Sequence, residues 1–101
     1  EETKFGLSFQ EIEAILSSEE FLELENIKVV GFMGMATFTD NQQQLQEEFS
    51  ALKAFFNKLK TQETALNILS MGMSGDYPLA ISSGSNMIRV GSSIFGNRNY
   101  N

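Results

Sequence analysis

Two stretches in the last third of the chain carry the residues best suited to chemistry: Ile68-Leu-Ser-Met-Gly-Met-Ser-Gly-Asp76 and Ser85-Asn-Met-Ile-Arg-Val-Gly-Ser-Ser-Ile-Phe-Gly96. Each reads as a short buried strand that runs into a Gly/Ser-rich turn. Backbone N–H groups in such turns are free of Cβ crowding and can converge on an anion, and a helix N-terminus adds a favourable dipole. Arg89 supplies a fixed positive charge on the second strand. One such turn is usually only a turn. Two of them beside an arginine point to a bound phosphorylated cofactor, though not to a reaction.

Other chemistry is scarce. The chain has no Cys and no His, which removes thiol chemistry, disulfides, the commonest metal ligand and the usual general base. Neither a nucleophile–base pair nor a metal-ligand cluster is visible. Asp76 reads as a helix cap rather than a general base. With 13 acidic against 7 basic residues the formal charge is −6, which argues against a nucleic-acid surface. The acids gather in 11–25 and 47–63, as solvated helix faces do. A hydrophobic fraction of 42% with 20% charged residues fits a globular chain rather than a disordered one. No apolar run approaches the ~18 residues that span a bilayer, and no signal peptide opens the sequence. A cytoplasmic protein with neither a membrane nor a nucleic-acid partner is expected.

At 101 residues the chain is one domain at most. Ser8-Phe-Gln-Glu11 is a capping box, followed by Ile12, Ile15 and Leu16 on one helical stripe. A second short helix is predicted from Ser18 to Leu24, ended by Asn26. Ile27–Met33 is β-branched and apolar, and predicts a buried strand. Thr39 or Asp40 should cap the next helix, the clearest element in the chain. There Leu45, Phe49, Leu52, Phe55, Phe56 and Leu59 recur at three- and four-residue steps, with Lys58 and Lys60 in the last turn. Leu66–Met71 is the next strand. Asp76 should cap a helix with Pro78 in its first turn and Gly84 as its stop. Met87–Val90 is the last strand, and Ser92–Phe95 starts a brief terminal helix. The five methionines Met33, Met35, Met71, Met73 and Met87 are expected to fill core gaps.

Strands alternating with helices imply α/β architecture with parallel pairing and right-handed crossovers. Three strands alone leave both sheet edges bare. The economical inference is that the chain is about the last three βα units of a (β/α)8 TIM-type barrel, a half barrel with parallel strands. In such barrels the phosphate site lies after strands seven and eight. The opening Glu1-Glu-Thr-Lys4 reads as the middle of a loop, so residues 1–101 are expected to be a fragment, the C-terminal half of one barrel domain.

These residues resemble the pyridoxal phosphate homeostasis proteins. The likeness runs through Glu1-Glu-Thr-Lys-Phe-Gly-Leu7, Gly31-Phe-Met-Gly-Met35, Leu69-Ser-Met-Gly-Met-Ser74 with Asp76, Ala80-Ile81 with Gly84-Ser85, and Ile88-Arg-Val-Gly-Ser92 with Ile94-Phe-Gly96 and Arg98. The resemblance implies a single-domain barrel similar to the N-terminal domain of alanine racemase, of the fold type III class. It implies binding of pyridoxal 5′-phosphate (PLP) in vitamin B6 and amino-acid homeostasis, with no established catalytic activity. Carried over by motif, Ser74 and Gly75 meet the cofactor phosphate from the first turn, and Gly91 and Ser92 offer backbone N–H groups from the second. Arg89 lies beside the phosphate or the pyridine ring; the sequence leaves both open. Asn86 stands where Thr is frequent, a departure expected to be harmless.

The family's Schiff-base lysine lies on an early barrel strand. None of Lys4, Lys28, Lys53, Lys58 and Lys60 matches that position, so it is expected outside this chain. The expected function is a non-catalytic PLP carrier whose barrel is completed by a missing N-terminal half. The alternatives are a racemase-like PLP enzyme using the ring as an electron sink, or a half barrel that pairs with a second copy of itself. The extra β domain that such racemases carry is not expected after residue 101.

Overall fold

The computed structural model describes residues 6–95. The motif residues 1–5, Gly96 and Arg98, and with them Lys4, lie outside that range. Helix α1 spans Phe9–Leu16 and starts at the predicted capping box. Ser8 Oγ accepts the Glu11 amide at 3.1 Å, and Glu11 Oε1 accepts the Ser8 amide at 2.8 Å. Helix α2, Glu19–Leu22, is capped by Ser18 and stops short of Leu24, which stands exposed.

Strand β1 is Gly31–Gly34, shorter and later than the predicted 27–33. Helix α3, Gln42–Lys60, is capped by Asn41 rather than by Thr39 or Asp40. Asn41 Oδ1 accepts the Gln44 amide at 3.1 Å, while Thr39 Oγ1 is spent on the Asn41 amide at 3.2 Å. Three adjacent residues could each cap, and the one nearest the first full turn wins. Strand β2 is Ile68–Met71, helix α4 is Tyr77–Ser82 and helix α5 is Ser92–Phe95. Asp76 occupies the N-cap position of α4 but makes no side-chain cap bond, contrary to expectation. Its Oδ1 accepts the Met73 amide at 2.7 Å and so braces the preceding turn.

The two strands pair in parallel, from Gly31 opposite Ile68 to Gly34 opposite Met71. The predicted third strand over 87–90 is reduced to one isolated parallel bridge, Ser70 to Met87. The reason lies at Gly72, whose φ of +104° bends the chain out of the extended conformation directly after β2. A Cβ there would also stand 2.6 Å from that of Ala80.

The core forms where α3 lies on β2. Leu45, Phe49, Phe55, Phe56 and Leu59 of the helix meet Leu66, Leu69, Met71 and Ala80, all buried, with Leu52 packed at the margin. Phe32 of β1 stacks on Phe55 and meets Phe56 edge-on, at centroid distances of 5.8 and 6.1 Å. The opposite sheet face is only partly covered among the described residues. Met33, Ser70 and Met87 share one row across the pairing; Ser70 is 6% exposed, but the flanking Met33 and Met87 are 68% and 47% exposed. β1 is therefore only half buried, since it has one neighbour strand and one covered face. Of the five methionines only Met71 fills the core, which corrects the expectation for the other four.

Candidate phosphate site at the strand ends

Parallel pairing places the C-terminal ends of β1, β2 and the 87–90 segment on one edge, and the two Gly/Ser turns emerge there. The Gly91 amide donates to Ser74 Oγ at 2.9 Å, so the turns meet directly. Gly75 follows Ser74, and Ser92 opens α5 after Gly91. A Cβ at either Gly75 or Gly91 would find nothing within 4 Å, so both turns border open space. The Asp76 and Tyr77 amides both donate to the Met73 carbonyl, at 3.1 and 2.9 Å, which with the Asp76 brace holds the first turn in shape.

Arg89 is fixed at both ends. Its amide donates to the Gly72 carbonyl at 2.9 Å, and its Nη2 donates to the Gly34 carbonyl at 2.8 Å. The guanidinium thus crosses the end of β2 to reach β1, keeping further donors for another acceptor. Four of the five candidates, Ser74, Gly75, Gly91 and Ser92, form one cluster; Arg89 lies below it on the strand that feeds the second turn.

Ser85 and Asn86 were not among the expected site residues. Asn86 Oδ1 accepts the Leu69 amide at 2.8 Å and its Nδ2 donates to the Asn67 carbonyl at 2.7 Å. Ser85 Oγ sits 2.7 Å from the Met71 carbonyl and 2.8 Å from that of Met87, sharing one proton between them. The available signal was two short polar side chains in a row after a helix stop, where such groups compete for backbone partners.

The lysines in the described range are committed elsewhere or distant. Lys58 pairs with Glu13 at 3.2 Å, Lys53 and Lys60 lie over the Phe56 ring, and Lys28 precedes β1 at the opposite end of the sheet. A groove of ≈ 760 Å³ beside the end of β1, lined by Leu7, Phe9, Met33, Met35 and Glu48 among others, contains none of the five candidates. Among the described residues no group of three or more His, Cys, Asp or Glu could hold a metal ion, and no helix is long and apolar enough to cross a membrane.

An α/β chain with parallel strands and Gly/Ser turns at their C-terminal edge belongs to a class that known proteins define. Residues 2–99 match the family "Alanine racemase, N-terminal domain", and the chain belongs to that family, whose fold is of the TIM-barrel type. It is 36% identical over 101 residues to a pyridoxal phosphate homeostasis protein of Aquifex aeolicus, covering 99% of this chain and 43% of the relative. It is 39% identical over 101 residues to the protein of that name from Vibrio alginolyticus, with 99% and 42% covered. Among solved structures it is similar to PipY of Synechococcus elongatus with PLP bound, at a TM-score of 0.81 and 31% identity, over 93% of this chain and 44% of PipY. The chain spans less than half the length of these relatives.

Proposed function

We propose that the chain takes part in binding pyridoxal 5′-phosphate as a non-catalytic carrier in PLP homeostasis, and that it supplies the phosphate end of the site. The observation that carries this reading is the 2.9 Å bond from the Gly91 amide to Ser74 Oγ, which joins the two turns beside open space at Gly75 and Gly91. These residues fit a phosphate: the exposed turn amides at Gly75 and Ser92 are neutral donors beside the Ser74–Gly91 junction, and Arg89 adds positive charge nearby. The likeness to PipY with PLP bound, and to relatives named for PLP homeostasis, supports the choice of ligand.

PLP when bound supplies an electron sink, which an enzyme exploits only with an acid/base pair placed on the substrate. No His is present, and the lysines of the described range are placed as given above, so the carrier is favoured over a racemase-like enzyme. In this reading the lysine that holds the cofactor covalently is contributed from outside this chain.

The exposed Met33 and Met87 on the partly covered sheet face support a finer statement: residues 1–101 are the last three βα units, the C-terminal half of one barrel, and a complementary half covers this face. A second copy of the chain is the other candidate for the same role. The test is PLP retention after dialysis, followed by ultraviolet–visible absorption with and without borohydride. The expected result is weak binding that inorganic phosphate competes away, with no borohydride-fixed label on any one lysine. A stable label on a single lysine of this chain would refute the half-site.

A further inference from the structure

Leu69 is fully buried, yet its amide does not bond to the main chain of the neighbouring segment; it donates to Asn86 Oδ1 at 2.8 Å. Asn86 Nδ2 donates to the Asn67 carbonyl at 2.7 Å, and the Asn86 amide donates to the Leu69 carbonyl at 3.1 Å. One residue thus replaces the ladder along the first half of β2. Beyond it, main-chain bonds between the two segments are sparse: Met71 N to Met87 O at 3.0 Å, and Arg89 N to Gly72 O at 2.9 Å.

We propose that Asn86 is a positioning residue for the phosphate turns, an inference that rests on the phosphate reading of those turns. Its carboxamide sets the register of the 87–90 segment against β2, and so sets where the Gly91 amide meets Ser74 Oγ. A slip of one residue along a strand moves the chain by roughly 3.3 Å and turns every side chain to the other face. That displacement exceeds what the Gly91–Ser74 bond tolerates, and it takes Arg89 off the face from which it reaches Gly34. Ser85 Oγ and the main-chain bonds tie the segment to Leu69, Met71 and Gly72, and the carboxamide extends the register to Asn67 and the Leu69 amide, because it donates and accepts at once. Removing it strands the buried Leu69 amide.

The experiment compares Asn86→Ala with the unaltered chain. In the absence of ligand, amide exchange at Gly91 rises about tenfold in the variant, while exchange at Phe56 in the middle of α3 is unchanged. Titration with inorganic phosphate, followed by the amide shifts of Gly75 and Gly91, shows about tenfold weaker binding. Wild-type shifts on titration, together with unaltered exchange and affinity in the variant, overturn the positioning role alone. No shift in the wild type overturns the phosphate reading and the functional half of this proposal with it. Should Asn86→Ala fail to fold, Asn86→Asp keeps the acceptor for Leu69, loses the donor to Asn67 and sets a carboxylate oxygen against that carbonyl. Faster Gly91 exchange there supports the role, and unchanged exchange refutes it.

Discussion

Arg89 reaches across the end of β2 to donate, through Nη2, to the Gly34 carbonyl at 2.8 Å. The last extended segment and β1 never pair as strands, yet one side chain ties them together at the edge where the turns emerge. A lysine does not repeat this, because its ammonium, though it has three donors, lacks the rigid planar fork that holds one acceptor while aiming the remaining donors at a second. Arg89→Lys is expected to weaken phosphate-competed PLP binding by about tenfold while leaving the helical circular dichroism intact. Equal binding by the two forms would show that Arg89 is only a strand tie.

Ser74→Ala removes the acceptor of the Gly91 amide. The two turns then lose their direct bond, and binding of inorganic phosphate should fall about fivefold to tenfold, the loss of one hydrogen bond. Isothermal titration or phosphorus NMR reads this, and an unchanged affinity would move the phosphate away from the first turn.

Gly72→Ala tests the bend that ends β2. Its φ of +104° and the 2.6 Å approach to the Ala80 Cβ both oppose a side chain. We expect a loss of about 2 kcal/mol or more in urea unfolding, with the transition still cooperative.

Leu66→Ala opens a cavity under α3 at a residue with no exposed surface. A cost of about 3 kcal/mol is expected, a large share of what a domain this size has to spare. A change under about 1 kcal/mol would mean that the core relaxes around the gap.

Met33→Glu places a charge on the partly covered face of the sheet. If that face pairs with a second copy, gel filtration of the variant should show monomer where the unaltered chain elutes as a dimer. Identical elution of both as monomers removes self-pairing and leaves the complementary half barrel.

The helical layer was legible because its signal is local and repeated. The stripe from Leu45 to Leu59 and the Ser8–Glu11 capping box determine their own geometry within a turn or two. The strands were less so. Ile27 and Val30 have strand chemistry, but burial depends on what lies opposite, and among the described residues both stay exposed. The cap of α3 fell to Asn41 among three eligible neighbours, a choice made by a few tenths of a kcal/mol. In the sequence Asn86 is a departure from Thr expected to be harmless, whereas in the fold it bonds Asn67 and Leu69, far back in the chain. No local pattern announces a side chain that takes a rung of a ladder.

The contacts that build the turn cluster also determine when it can exist. The backbone bonds within α3 close over neighbours a few residues apart, whereas the Ser74–Gly91 bond spans 17 positions and the Gly34–Arg89 tie spans 55. Contacts of such separation form late, after the chain entropy of the intervening loop has been surrendered. The phosphate turns should therefore be the last part of the fold to assemble and the first to open. A ligand bridging them would act as a clasp, so that occupancy, rather than the core, governs how long the two turns stay in place.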